Sequence, residues 1–117
     1  MNEQIYLFVY GTLMDQEFVE NLVRKRLDYS HAKLYGFEKI SPSNSFPYSY
    51  IIPRDGCEVE GMLIKGLDAN SLKILDKYEG VDSGLYRRIL VQILTNQGKI
   101  KAYTYAAGER LLKQLKN

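Results

Sequence analysis

The sequence predicts an α+β domain in which about six strands curl into a partly closed sheet, with two or three helices packed against it. Two observations support this prediction: apolar and aromatic runs with strand periodicity recur along the chain, and glycines fall inside several of these runs. A length of 117 residues fits one compact domain, so residues 1–117 are interpreted as a single unit. The order of the elements alone leaves the sheet topology open.

The first half of the chain begins with a buried strand. Residues 5–10 (IYLFVY) form a nearly continuous apolar run, which is typical of a strand buried on both faces. Residues 13–27 carry apolar side chains at helical spacing and predict one amphipathic helix, with Thr12 as its cap. Residues 32–37 predict a second strand. Residues 41–49 (SPSNSFPYS) are rich in turn-forming residues and lack a period, so they predict the longest loop.

The middle of the chain predicts two short strands and a helix. The strands cover residues 49–53 and 58–65, and the sequence Arg-Asp-Gly at residues 54–56 predicts a turn between them. Asp68 is expected to open a helix, and Gly80 is expected to end it, because glycine readily adopts the backbone conformation found after helices.

The last third of the chain predicts a β-hairpin. Residues 86–95 (YRRILVQILT) and 100–106 read as strands, and Asn-Gln-Gly at residues 96–98 predicts the tight turn that joins them antiparallel. The tail, residues 108–117, is predicted to be one short helix or a frayed end.

Composition excludes several classes of function. A net charge of +2 is too small to indicate a nucleic-acid partner, and no apolar stretch reaches the roughly 20 residues that a membrane helix needs. Cys57 is the only cysteine, so no intrachain disulfide is possible and a reducing compartment is indicated. Residues 1–4 do not resemble a signal peptide. We therefore expect a cytoplasmic protein, and the oligomeric state stays open.

The first candidate site lies where the first strand runs into a glycine and then into a predicted helix start. Such a junction leaves backbone N–H groups unpaired at the positive end of the helix, where they can bind a carboxylate or a carbonyl oxygen. A plain strand-to-helix turn is the alternative interpretation. The residues of this junction are Tyr10, Gly11, Thr12 and Leu13.

The second candidate is a glutamate at the end of the predicted helix. Glu79 falls on the same face as Leu72 and Leu75, which are expected to point inward. Burial and the helix C-terminus both raise the pKa of a carboxyl above its usual value of about 4.3, which suits a general acid or base near neutral pH. A surface glutamate at a frayed helix end is the alternative. Asp76 lies one position off this face and is expected to be solvated.

The third candidate is a tyrosine followed by two arginines. Tyr86, Arg87 and Arg88 begin a predicted strand, and arginine matches the geometry of a carboxylate. Because side chains alternate along a strand, at most one of the two arginines points inward. A strand edge protected by charge is the alternative. His31 is the only histidine, so neither a histidine-based metal cluster nor a histidine pair is available.

These motifs, in this order, resemble the γ-glutamyl cyclotransferase-like superfamily. Residues 10–13 (YGTL) match its Tyr-Gly-Ser/Thr-Leu signature, and residues 75–80 (LDKYEG) match its Leu-Asp-x-Tyr-Glu-Gly motif. Residues 86–88 (YRR) match its Tyr-x-Arg, and residues 102–105 (AYTY) match its closing strand with a tyrosine. The resemblance covers roughly residues 5–106, and the loop at 41–56 and the tail past 107 are not matched.

The resemblance implies a small mixed β-barrel flanked by helices, with a ligand cavity at one end. It implies conversion of a γ-glutamyl amine or peptide to 5-oxoproline and a free amine, with Glu79 as general acid and base and with neither metal nor organic cofactor. A non-catalytic small-molecule-binding module on the same fold is the alternative, because a fold does not fix a function. The leaving amine is left open. The substrate-binding residues implied are Tyr10, Gly11, Thr12, Leu13, Tyr86 and Tyr105.

Overall fold

Five strands form a closed ring in the computed structural model of the protein, which describes residues 5–115. The strands are β1 (Ile5–Val9), β2 (Asp28–Ile40), β3 (Tyr50–Leu67), β4 (Tyr86–Thr95) and β5 (Gly98–Ala107). Their order around the ring is β1-β3-β2-β4-β5. The pair β1–β5 is parallel and the other four pairs are antiparallel. The predicted α+β class with a small mixed β-barrel is confirmed.

Helices flank this ring. Within the described residues they are α1 (Gln16–Val23), α2 (Ala69–Tyr78) and α3 (Glu109–Leu115), and one 3₁₀ turn at Thr12–Met14 precedes α1. None of these helices is long and apolar enough to cross a membrane. The short helix predicted for the tail is present as α3. Residues 1–4 and 116–117, on which two of the predictions partly fall, lie outside the described residues.

Strand β1 is central because it contributes to two apolar cores. Leu7 and Val9 are buried in a cluster with residues of all three helices. Phe8 points the other way, into a cluster that draws residues from all five strands and therefore fills the inside of the ring. The buried hydroxyl of Thr104 on β5 donates a hydrogen bond of 2.9 Å to the carbonyl of Phe8. The prediction of a buried central strand near the start of the chain is confirmed.

Strand β3 is longer than the sequence predicts. The expected turn at residues 54–56 is wrong, because these residues lie within one continuous strand. The register of its pairing with β2 shifts at one point: Tyr35 lies opposite Glu58, but Phe37 lies opposite Pro53. Residues 54–57 therefore form a bulge opposite the single residue Gly36. Gly56 adopts φ +84°, a left-handed backbone that favours glycine, and it absorbs the bulge. The turn signals are real, but pairing on both sides of the bulge keeps the strand intact.

Helix α1 is shorter than the predicted helix over residues 13–27. Asp15, not Thr12, is its cap, and the Asp15 side chain accepts a hydrogen bond of 3.2 Å from the amide of Phe18. The helix ends at Val23, where Arg24 takes the left-handed conformation with φ 58°. Because a cap satisfies the first free amides, the helix begins after Asp15, and the residues before it form the separate 3₁₀ turn.

Helix α2 and the terminal hairpin agree with the sequence. The Asp68 side chain accepts a hydrogen bond of 2.7 Å from the amide of Ser71, and Gly80 adopts φ +68° directly after the helix. Strands β4 and β5 pair antiparallel from Tyr86 opposite Ala107 to Thr95 opposite Gly98. These two units place the predicted site residues at the same end of the ring.

Candidate active site

A small cavity opens at the end of the ring where β1 and β5 finish and β4 begins. Its volume is about 180 Å³. The structure brings six of the seven predicted site residues to its wall, and Gly11 lies beside the cavity without lining it. The lining residues are Phe8, Val9, Tyr10, Thr12, Leu13, Tyr48, Ser49, Tyr78, Glu79, Leu85, Tyr86 and Tyr105.

Glu79 reaches this cavity from the C-terminal end of α2. Its amide donates a hydrogen bond of 2.9 Å to the carbonyl of Leu75, whose side chain is fully buried, so the helix end is held firmly. Within residues 5–115, no group hydrogen-bonds or ion-pairs with the Glu79 carboxylate. Burial raises the pKa of Glu79 from 4.5 to about 7. Both protonation states are therefore accessible near neutral pH, as a general acid and base requires.

The backbone after β1 supplies unused hydrogen-bond donors. Met14 donates to the carbonyl of Gly11 at 2.9 Å, and Asp15 donates to the carbonyl of Thr12 at 3.2 Å. The amides of Gly11, Thr12 and Leu13 themselves have no acceptor in the part of the chain that the structure describes. The expected set of free amides is therefore present, and Thr12 and Leu13 line the cavity. Three such donors suit a carboxylate or a developing oxyanion.

Gly11 packs closely against Ser49. A Cβ added at Gly11 would lie 2.6 Å from the hydroxyl oxygen of Ser49, far closer than any real contact. A side chain at position 11 would therefore require the Ser49 side chain to move away. Ser49 itself lines the cavity, so this loop forms part of the candidate site.

The loop before β3 is fixed by aromatic packing. Phe46 is buried, and its ring lies 5.8 Å, 6.0 Å and 6.3 Å from the rings of Tyr48, Tyr50 and Tyr86, measured between centroids. The Tyr86 hydroxyl donates a hydrogen bond of 2.7 Å to the carbonyl of Ser49. Sequence reasoning missed Tyr48 and Ser49 as site residues, and the aromatic residues within the turn-rich stretch were the available signal.

Buried tyrosines form the rest of the wall. The Tyr10 hydroxyl donates to the carbonyl of Tyr105, which ties the end of β1 to β5. Burial, and then the nearby charge of Glu79, raise the pKa of Tyr86 above its ordinary range, so this phenol stays neutral. These hydroxyl protons are donated to backbone carbonyls. The tyrosines therefore shape the cavity, and Glu79 is its titrating group near neutral pH.

The sequence predicts that Asp76 is solvated, but this prediction is wrong. Its carboxylate accepts a hydrogen bond of 2.7 Å from the Tyr105 hydroxyl and pairs with Arg88 at 3.2 Å. The Arg88 guanidinium also lies 4.8 Å from the ring centre of Tyr103. Arg87 is exposed, so the two arginines do face opposite sides, but neither lines the cavity. Strands β4 and β5 cover the helix surface beside its inward face, which sequence spacing does not reveal.

The fold places a small cavity at one end of a β-barrel, where one partly buried carboxylate lies near backbone amides that have no acceptor among the described residues. Residues 7–117 match the family model described as gamma-glutamyl cyclotransferase, AIG2-like, and the chain belongs to this family. The expected family resemblance is confirmed.

Individual relatives agree with this assignment. AIG2-like protein C of Arabidopsis thaliana is 33% identical over 101 residues, which are 85% of this chain and 56% of that protein. A solved structure named gamma-glutamyl cyclotransferase superposes with a TM-score of 0.75 at 26% identity, covering 90% of this chain and 67% of that one. An Arabidopsis thaliana solution structure gives a TM-score of 0.80 at 27% identity, with coverages of 92% and 64%. This chain spans little more than half the length of AIG2-like protein C.

Proposed function

We propose that this protein converts a γ-glutamyl amine or peptide to 5-oxoproline and a free amine, with Glu79 as general base and acid. The observation that carries the proposal is the partly buried Glu79 carboxylate, which has no hydrogen-bond or ion-pair partner among the described residues. It lines a cavity together with Thr12 and Leu13, whose backbone amides are free. Family membership and the solved relative named gamma-glutamyl cyclotransferase support the same chemistry.

The first step is proton transfer followed by ring closure. The Glu79 carboxylate takes a proton from the substrate α-ammonium group, because a protonated amine has no lone pair to attack with. The freed nitrogen then attacks the γ-carbonyl carbon of the same residue, forming a five-membered ring and a negative charge on the carbonyl oxygen. The unpaired amides at residues 11–13 are the donors available to hold the substrate carboxylate and this oxyanion.

The second step expels the amine. The oxyanion re-forms the carbonyl, the bond to the leaving nitrogen breaks, and protonated Glu79 returns its proton to that nitrogen. The ring nitrogen, which still carries two protons after the attack, gives one of them to the departing amine, so the products are 5-oxoproline and the amine in its ammonium form, and Glu79 is again a carboxylate. A pKa of about 7 favours both transfers, since the group gains and loses a proton at similar cost near neutral pH. Because the nucleophile is part of the substrate, positioning supplies much of the rate.

The test is direct detection of the product. The purified protein is incubated with γ-glutamyl derivatives of an amino acid, a dipeptide, the lysine side chain and a polyamine, and 5-oxoproline is measured by mass spectrometry. Glu79→Gln protein serves as the control for spontaneous cyclisation. We expect release from at least one derivative, above the level of the variant. Binding of these derivatives without any release supports the alternative, a non-catalytic binding module on the same fold.

A further inference from the structure

We infer that Tyr48 and Tyr78 form an aromatic clamp at the cavity mouth that selects γ-glutamyl amides whose leaving amine carries a flat apolar body, as an arylalkylamine does. This inference rests on the proposed function and names the part of the substrate that the chemistry leaves undefined. It makes Tyr48 and Tyr78 specificity-determining residues.

The size of the cavity is the first argument. Its volume of about 180 Å³ is smaller than the roughly 300–1,000 Å³ of pockets that enclose a drug-sized ligand. Glu79 and the free amides fix the γ-glutamyl group inside, so the body of the leaving amine must extend to the mouth. Two lining residues are well exposed, which assigns them to the mouth: Tyr48 is 53% exposed and Tyr78 is 45% exposed.

Each of the two tyrosine rings packs against a phenylalanine ring. Buried Phe46 contacts Tyr48 at a centroid distance of 5.8 Å with an interplanar angle of 73°. Phe18 of α1 contacts Tyr78 at 5.4 Å and 61°. Edge contacts of this kind hold each tyrosine in place while leaving much of its surface uncovered. Rings that are already restrained lose little conformational freedom when a ligand packs on them, which favours binding.

The charge of the cavity is the second argument. Among the described lining residues, Glu79 alone is charged, and lysine, arginine and histidine are absent from them. The free amides at residues 11–13 are assigned to the substrate α-carboxylate and the oxyanion, and the donors that remain in the lining are neutral hydroxyls, such as those of Tyr48, Ser49 and Tyr78. A carboxylate on the leaving amine, as in a γ-glutamyl amino acid, would meet Glu79 without a compensating cation. The mouth therefore suits an apolar amine.

Three substrates test the clamp on the wild-type protein. They are γ-glutamyl-ethylamide, which has no aromatic group, γ-glutamyl-phenethylamide, which carries a phenyl ring, and γ-glutamyl-phenylalanine, which carries both a phenyl ring and a carboxylate. We expect kcat/KM for the phenethylamide to exceed that for the ethylamide by about 10-fold, the worth of a good aromatic contact. We expect it to exceed that for γ-glutamyl-phenylalanine by about 10-fold or more, because of charge repulsion at close range.

Substitutions then locate the preference. Tyr48→Ala and Tyr78→Ala should reduce the phenethylamide-to-ethylamide ratio to about 1–3, mainly through KM, because the body is held equally in the bound substrate and the transition state. Tyr48→Phe and Tyr78→Phe should keep the ratio, since they keep the ring. Tyr35→Ala is the matched control: Tyr35 is also 53% exposed, lies on β2 and does not line the cavity. Thermal melts check that each variant folds.

The outcomes separate this inference from the proposed function. Equal kcat/KM values for the three amides, or a ratio that both alanine variants leave unchanged, overturn the clamp while 5-oxoproline release upholds the activity. If an alanine variant does not fold, the substrate series on wild-type protein still decides. If none of the three amides releases 5-oxoproline while a derivative of the first panel does, the clamp is overturned and the proposed function stands. No release from any derivative of either set overturns both.

Discussion

Asp76 and Glu79 lie three residues apart at the end of one helix, yet their surroundings differ sharply. Asp76 is satisfied by the Tyr105 hydroxyl and the Arg88 guanidinium, which come from β5 and β4. The Glu79 carboxylate has no hydrogen-bond or ion-pair partner within residues 5–115, and burial raises its pKa to about 7. Helical position does not explain the difference. Whether a carboxylate at the end of a helix is paired depends on the side chains that the neighbouring strands place beside it.

Removing the proton acceptor should give the largest effect. In Glu79→Gln the shape and most hydrogen-bonding capacity remain, but the side chain can no longer take the ammonium proton. We expect turnover to fall by roughly 10²–10⁴, the usual worth of a positioned general base, while γ-glutamyl ligands still bind. Initial rates of 5-oxoproline release and calorimetric binding measure the two effects. Asp76→Asn should cost far less turnover.

The matched control for this prediction is Glu17→Gln, which makes the same chemical change at an exposed position on α1. It should leave turnover within about twofold, since surface substitutions rarely matter. Near wild-type turnover in Glu79→Gln would show that the assigned mechanism is wrong.

The second effect is a change of stability with pH. The pKa of Glu79 is raised on folding, so its charge opposes folding, and wild-type protein loses stability as pH rises through the folded pKa of about 7. Glu79→Gln lacks this loss. The free energy of unfolding of the variant, relative to wild type, should rise by about 2–3 kcal/mol between pH 5 and pH 8. Urea unfolding at both pH values measures it, and a pH-independent difference contradicts the burial of this carboxylate.

The third effect concerns the paired carboxylate. Asp76→Ala leaves the Tyr105 hydroxyl and Arg88 without their shared partner, and we expect a loss of about 2 kcal/mol in the free energy of unfolding. Asp76→Asn should lose less, because the amide oxygen still accepts from Tyr105. Asp82→Ala, an exposed aspartate in the loop after α2, is the control. Equal stabilities for Asp76→Ala and Asp82→Ala would place Asp76 in solvent, as the sequence suggested.

The smallest effect isolates one hydrogen bond. Tyr105→Phe removes only the hydroxyl that Asp76 accepts, and we expect a loss of about 1 kcal/mol. Combining it with Asp76→Ala should add little further loss, because both changes remove the same contact. Fully additive losses in a double-mutant cycle would mean that the two side chains act independently.

Those parts of the fold with local signals were predictable. The apolar run gave β1, the cap at Asp68 and the glycine at position 80 gave α2, and the turn at residues 96–98 gave the hairpin. Strand β3 was misread because its turn signals are local, while the pairing that overrides them comes from β2. The cap of a helix is also a local signal, but the sequence indicated Thr12 as the cap of α1, whereas the structure has Asp15 there.

The candidate site also has a part that local sequence signals predict and a part that they do not. Glu79 and the turn at residues 10–13 could be predicted, because their positions follow from spacing within one element. The contacts that complete the site join distant residues: 29 positions separate Asp76 from Tyr105, and 37 separate Ser49 from Tyr86. No periodicity encodes such contacts, so the partners of Asp76 and the role of Ser49 needed the folded chain.

The parallel pairing of β1 with β5 has a consequence for how the protein forms. Residues 95 and 96 positions apart must meet before the ring closes, through the contacts of Tyr10 with Tyr105 and of Phe8 with Thr104. Such long-range closure is entropically costly and slow, so refolding is expected in milliseconds to seconds. During synthesis on the ribosome, Glu79 emerges well before the strand that completes its cavity. The cavity beside Glu79 is therefore complete only in the last stage of folding.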